Sequence, residues 1–147
     1  MASDEGRLHV VEAGQPDGPT IVLCHGVLLR WWVWNAVFEL LGDRFRILAW
    51  DMRGHGRSRP GNEAISIHRI GLDLLEVLEE LDVSDAVVVG HSMGGMAVLD
   101  AAITDHERLS ARVRHLVLLA TSADALRTAA LASSARSLLG GLSRAVG

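Results

Sequence analysis

The sequence lacks the features that would place it in a membrane, outside the cell or on nucleic acid. Its one cysteine, Cys24, excludes an internal disulfide, so a reducing compartment is expected. The net charge is −4 and no run of basic residues marks a polyanion surface, so nucleic acid is not an expected partner. No apolar run approaches the ~20 residues that span a bilayer. The acidic N-terminus lacks the basic and apolar regions of a signal peptide. We therefore expect a cytoplasmic protein without a membrane span.

What the sequence does contain is an alternation of short apolar runs and amphipathic stretches. With 147 residues, 49% of them hydrophobic, the chain is long enough for one domain with a substantial core. Residues 20–24 are apolar on both faces, which is typical of a buried parallel strand. The alternation predicts an α/β fold with a mostly parallel sheet and helices on both faces. The predicted strands are 8–13, 20–24, 45–50, 87–89 and 113–119, and the first two predicted helices are 31–41 and 66–81.

Two helices have an apolar spacing of three or four residues, which predicts the face that each presents to the core. Ser66 is the expected N-cap of the helix over 66–81. Its predicted core face consists of Ile67, Ile70, Leu74, Leu78 and Leu81. A third helix follows Ser92, and Met96, Leu99 and Ile103 form its predicted apolar face.

The turn before that third helix has a composition that favours nucleophilic chemistry. Three valines lead into Gly90-His91-Ser92-Met93-Gly94-Gly95, and a helical pattern follows at once. A Gly-x-Ser-x-Gly turn between a strand and a helix predicts a nucleophile elbow, in which a tight turn exposes the serine hydroxyl above the sheet. Gly90 and Gly94 would leave the space that such a turn requires. Met93 would place its N–H at a helix start, where negative charge is favoured. The alternative is a glycine-rich turn that serves packing alone.

Two further motifs precede this turn, and the order of all three resembles a known family. His25-Gly26 follows the strand over 20–24, and Asp51-Met52-Arg53-Gly54-His55-Gly56-Arg57-Ser58 follows the strand over 45–50. Together the motifs resemble the α/β-hydrolase superfamily, in the subgroup of lipases, esterases and cofactor-independent haloperoxidases, over roughly residues 7–121. The resemblance implies that Ser92 is the nucleophile, with Gly90, His91 and Gly94 forming the elbow around it. It also implies an oxyanion hole made by the backbone N–H groups of Val27 and Met93, without a cofactor or metal.

The resemblance also narrows the chemistry and assigns the remaining motif residues. Dehalogenases and epoxide hydrolases of this fold use aspartate at the elbow, so a serine favours acyl transfer on carboxylic esters or related compounds. Leucines in the C-terminal tail indicate an apolar small-molecule substrate. Asp51 and Arg53 are interpreted as groups that fix their own loop, and Cys24 as a core residue.

The acid and base that a serine nucleophile requires are not evident downstream. Only His106 and His115 follow Ser92, and the predicted topology puts both at the far end of the sheet: a helix of ~18 Å separates His106 from the serine. Upstream, His25 lies at the correct end and is a candidate substitute base. Asp124 is a candidate shifted acid.

The family pattern therefore breaks after the strand over 113–119. Residues 1–121 would form the N-terminal part of a hydrolase core, truncated before the last two strands, and 122–147 would begin a helical cap. The last strand would then be an exposed apolar edge. A truncated gene or fragment, half of a two-chain enzyme, or a domain reused for binding would each explain the pattern. Two functions follow: a serine hydrolase, or a catalytically inactive binding or assembly module that pairs with a partner chain or with itself through that edge.

Overall fold

The computed structural model describes residues 6–124, which form a single five-stranded sheet flanked by helices. The strands are β1 (His9–Gly14), β2 (Thr20–Cys24), β3 (Arg46–Asp51), β4 (Ala86–His91) and β5 (Val113–Leu119). Their order across the sheet is β1-β3-β2-β4-β5. Only β1 runs antiparallel to its neighbour, and the other pairs are parallel. The prediction of a mostly parallel α/β sheet is confirmed.

The helices follow the predicted order, with one subdivision. The helices are α1 (Asn35–Leu41), α2 (Ile67–Glu80), α3 (Met93–Thr104) and α4 (His106–Ser110). The region predicted as one helix over 31–41 is a 3-10 turn, Trp31–Trp34, followed by α1. Ser66 caps α2 as expected, because its side chain accepts a hydrogen bond from the Arg69 N–H. None of the helices described over residues 6–124 has the length and apolarity needed to cross a membrane.

Each face of the sheet has its own apolar core, because successive side chains of a strand point to opposite faces. On one face, Val22 and Cys24 of β2 pack with the apolar side of α2 and α3. On the other, Ile21 and Leu23 pack with Trp34 and with α1. Helices therefore cover both faces, as the sequence predicts.

The buried face of α3 differs from the predicted one. Instead of Met96, Leu99 and Ile103, the buried residues are small ones: Gly94, Gly95, Ala97, Val98 and Ala101. Ile103 is 71% exposed. The cause is the close approach of α2 to α3, where a Cβ on Gly71 would lie only 3.0 Å from the Ala97 carbonyl oxygen. Small side chains permit that contact, so the larger residues of α3 turn away from it.

β5 is the outermost strand of the described sheet on its side, and its apolar residues are open. Leu116, Val117, Leu118 and Leu119 are between 38% and 41% exposed. The expected exposed edge is thus present in residues 6–124. The predicted cap over 122–147 lies almost entirely outside the described residues, and its assignment stays a prediction.

A buried ion pair joins the loop after β3 to α2. The Arg53 guanidinium donates two hydrogen bonds to the Asp73 carboxylate, at 2.9 Å from Nε and 2.6 Å from Nη2. Arg69 donates to the same carboxylate, one turn earlier on α2. Arg53 is 2% exposed and Asp73 is fully buried. The interpretation of Arg53 as a loop-fixing group is therefore confirmed.

Replacing Asp73 with asparagine should destabilise the fold strongly. The substitution removes the buried negative charge that Arg53 and Arg69 share, which costs about 3–5 kcal/mol. Urea unfolding measures the difference in the free energy of unfolding. Asp85→Asn is the matched control: Asp85 pairs with Arg114 at an exposed site, and its loss should cost less than about 1 kcal/mol. Equal losses for the two variants would contradict this account of Asp73.

Candidate active site

Ser92 occupies a strained turn between β4 and α3. Its φ of 51° and ψ of −116° lie where non-glycine residues rarely occur, at a cost of about 1–3 kcal/mol. Such a conformation persists only when the surrounding structure enforces it. The Ser92 N–H donates to the Leu119 carbonyl oxygen of β5 at 3.0 Å, and the Ser92 carbonyl oxygen accepts from the Met96 N–H at 3.1 Å. Both peptide groups of the serine are therefore held by neighbouring elements.

The glycines around Ser92 are required by close packing. A Cβ on Gly90 would lie 2.6 Å from the Gly95 Cα, and a Cβ on Gly94 would lie 2.4 Å from the Cys24 carbonyl oxygen. Both distances are shorter than a Cβ can tolerate, so a side chain at either position would push the turn apart. The elbow therefore has the space requirement that its sequence predicts.

The loop after β2 brings a second backbone donor to the same edge of the sheet. A Cβ on Gly26 would lie 3.2 Å from the Ser92 Cβ, so this loop touches the elbow. The Leu29 N–H donates to the Gly26 carbonyl oxygen, which closes a tight turn around Val27. Met93 is the first residue of α3, so its N–H has no partner within the helix. Among residues 6–124, neither the Val27 N–H nor the Met93 N–H donates a hydrogen bond. The two amides proposed for an oxyanion hole are both available.

His25 has a structural role that is incompatible with the substitute-base interpretation. Its Nε2 accepts a hydrogen bond from the Met52 N–H at 3.0 Å, so the ring proton is on Nδ1, which donates to the Gly26 carbonyl oxygen at 2.7 Å. Burial lowers the pKa of His25, and the nearby His55 ring opposes its protonation further. With both nitrogens bound to backbone, His25 cannot take a proton from Ser92. It instead ties the end of β2 to the end of β3.

Asp51 links the two loops at this edge of the sheet. Its Oδ1 accepts from the Trp31 N–H at 2.8 Å, and its Oδ2 accepts from the Arg57 N–H at 2.9 Å. Gly56 packs against this carboxylate so closely that a Cβ there would overlap it. The interpretation of Asp51 as a loop-fixing group is confirmed.

The remaining acid and base candidates stay apart from Ser92. His115 pairs with Val87 near the start of β4, whereas Ser92 follows the last residue of that strand. His106 begins α4, beyond the far end of α3. Asp124 lies past β5 and is exposed, and its role as an acid remains a prediction. In the part of the chain that the structure describes, no histidine hydrogen-bonds to the Ser92 hydroxyl.

Cys24 is near the elbow but is not reactive. Burial raises the pKa of its thiol to about 12, and the Trp50 indole N–H donates to the sulfur at 3.4 Å. A thiolate is therefore absent at neutral pH, and Cys24 serves as a core residue.

One residue at the elbow was missed by the sequence reasoning. The Thr121 hydroxyl donates to the Ser92 carbonyl oxygen at 2.7 Å. Its position just after the last predicted strand is the only sequence signal, because no motif includes it.

Comparison with known proteins agrees with the fold. The sequence profile of the alpha/beta hydrolase fold family matches residues 19–140. Epoxide hydrolase A of Mycobacterium tuberculosis is 39% identical over 108 residues, which are 71% of this chain and 34% of that protein. A hydrolase from Pseudomonas aeruginosa superposes with a TM-score of 0.74 at 30% identity, over 94% of this chain and 56% of that one. A thermophilic esterase from Thermogutta terrifontis superposes with a TM-score of 0.69 at 29% identity, over 79% and 41%.

The chain belongs to the alpha/beta hydrolase fold family. It spans about a third of the length of the Mycobacterium tuberculosis relative. The expected superfamily resemblance is confirmed.

The buried, neutral His25 should make stability depend on pH. The unfolded chain takes up a proton at His25 near the ordinary pKa of about 6.5, whereas the folded chain resists it, so the free energy of unfolding falls as the pH drops below that value. His25→Gln should flatten this dependence between pH 7.5 and pH 5 while lowering stability at pH 7.5. Urea unfolding at both pH values measures the slope.

His106→Gln is the control for that slope, because His106 is exposed at the start of α4. This variant should keep the wild-type pH dependence. A His25→Gln slope equal to the wild-type slope would show that His25 is not the titrating group.

Proposed function

We propose that this chain carries the nucleophile and oxyanion hole of a serine hydrolase that acts on carboxylic esters or related acyl compounds. Ser92 attacks the substrate carbonyl, and the negative charge that develops on the carbonyl oxygen is held by the backbone N–H groups of Val27 and Met93. The observation that carries the proposal is the strained Ser92 conformation beside two backbone N–H groups that donate no hydrogen bond to any residue of 6–124. One such donor is worth roughly 3–4 kcal/mol of transition-state stabilisation in a comparable site.

The identity of the elbow residue favours ester over epoxide chemistry. The Mycobacterium tuberculosis relative is named an epoxide hydrolase, and the Thermogutta terrifontis neighbour is described as an esterase. By the family resemblance, epoxide hydrolases place aspartate at the elbow, where the carboxylate attacks directly. A serine hydroxyl must lose its proton during attack, and it forms an acyl-enzyme with an ester. Ser92 therefore supports the ester reaction.

The proton acceptor is proposed to come from polypeptide other than residues 6–124, and Asp124 stays the candidate for its orienting acid. His25, the one buried histidine beside the oxyanion loop, is committed to backbone hydrogen bonds at both nitrogens. Without a base, an ester should be turned over slowly, because both acylation and deacylation need proton transfer. An activated phosphonate needs only one displacement by Ser92, in which a good leaving group departs and the hydroxyl proton passes to solvent. The activated probe is therefore the suitable reagent for Ser92.

Labelling with a fluorescent activated phosphonate tests this proposal. Wild-type protein should be labelled at one site, and Ser92→Ala should lose the label. Ser110→Ala is the matched control, because Ser110 is an exposed serine on α4 that bonds only to its own helix. This variant should label as the wild type does. Peptide mapping by mass spectrometry identifies the modified residue.

The same experiment distinguishes the hydrolase from the second candidate function. A catalytically inactive assembly module is favoured by the open apolar residues of β5. That module would leave Ser92 unlabelled and would elute as a dimer or complex on size-exclusion chromatography with light scattering. A labelled monomer would support the hydrolase, and an unlabelled dimer would overturn it.

A further inference from the structure

We propose that Thr121 is a positioning residue for the elbow, and that it acts on the oxyanion hole through the peptide group that joins Ser92 to Met93. The inference rests on the proposed function, because it assigns Thr121 a part in preparing the same serine and the same amide. Thr121 acts on this peptide group through the hydrogen bond that its hydroxyl donates to the Ser92 carbonyl oxygen.

Among residues 6–124, this is the one side-chain hydrogen bond to the Ser92 backbone, and its length is typical of a bond between two oxygens. The Thr121 Oγ1 lies 2.7 Å from the Ser92 carbonyl oxygen, which also accepts from the Met96 N–H at 3.1 Å. The other supports of the strained serine are backbone groups, from Leu119 and Met96. Thr121 is therefore the support that a substitution can remove without breaking the sheet or the helix.

The chain is shaped to bring Thr121 to this point. β5 ends at Leu119, and Ala120 then adopts a φ of 45°, a left-handed conformation that is unfavourable for alanine. Thr121 follows this residue directly and reaches the Ser92 carbonyl oxygen. Gly95 supplies the space, since a Cβ there would lie 2.6 Å from both the Cβ and the Oγ1 of Thr121. The strained backbone of Ala120 and the absence of a side chain at Gly95 thus both accommodate Thr121.

The contact has an electronic consequence at the oxyanion hole. The Ser92 carbonyl and the Met93 N–H belong to one planar peptide group. A hydrogen bond accepted by the carbonyl polarises that group and makes its N–H a stronger donor. Thr121 would therefore strengthen the Met93 amide at the moment when an oxyanion forms on its other side, as well as hold Ser92 in place.

Three variants isolate this effect. Thr121→Val keeps the shape of the side chain and removes the hydroxyl, whereas Thr121→Ser keeps the hydroxyl and removes a methyl group. Thr104→Val is the matched control: the Thr104 hydroxyl also donates to a carbonyl, that of Asp100, at 2.8 Å, but it does so at the exposed far end of α3. The readouts are the second-order rate of phosphonate labelling, at equal concentrations of folded protein, and the Met93 amide ¹H and ¹⁵N chemical shifts.

Thr121→Val should slow labelling about three- to tenfold, which is the range for one neutral hydrogen bond, and should shift the Met93 amide resonance. Thr121→Ser should restore both readouts toward the wild type, and Thr104→Val should change neither. A purely structural role would lower stability without the serine rescue of the labelling rate.

Wild-type labelling and an unchanged Met93 resonance in Thr121→Val would overturn the inference. So would a Thr121→Ser variant as slow as Thr121→Val, because the methyl packing would then be the cause. If the wild type is not labelled at all, the proposed function fails. A Met93 amide chemical shift that changes in Thr121→Val and is restored in Thr121→Ser would still support the action of Thr121 on this peptide group.

Discussion

The strained backbone of Ser92 is the constraint on which the arrangement around it depends. A non-glycine residue at a φ of 51° is held only because the elements on each side of it bond to both of its peptide groups. The Ser92 N–H donates to the Leu119 carbonyl oxygen of β5, and the Met96 N–H in the first turn of α3 donates to the Ser92 carbonyl oxygen. The close contacts at Gly90, Gly94 and Gly95 follow from the same turn, because the strand, the helix and the β2 loop converge on it.

A second layer of bonds fixes the loop that faces the elbow. His25 and Asp51 are both buried, and each uses its polar atoms on backbone groups of the loops after β2 and β3. These side chains have the residue types of catalytic groups, but their hydrogen bonds are already committed. Their effect on chemistry is therefore indirect, since they set where the Val27 amide lies. The buried ion pair between Arg53 and Asp73 joins the loop after β3 to α2.

The fold was largely predictable because its signals are local. Apolar runs of strand length, the cap at Ser66 and the glycines of the elbow each predict structure from adjacent residues, and all agree with the observed order of elements. The features that sequence reasoning missed depend on contacts between distant segments. The buried face of α3 is set by its close approach to α2. The apolar spacing within α3 alone carries no information about that neighbour. Asp73 is buried because Arg53, twenty residues earlier, pairs with it. Thr121 meets Ser92 directly after Ala120, whose left-handed backbone no sequence motif predicts.

A crystal structure of the chain after reaction with an activated phosphonate tests the central claim most directly. We expect a bond between phosphorus and the Ser92 Oγ, with the phosphonyl oxygen about 2.7–3.1 Å from the backbone nitrogens of both Val27 and Met93. An unmodified Ser92, or an adduct whose phosphonyl oxygen points away from these two amides, would contradict it.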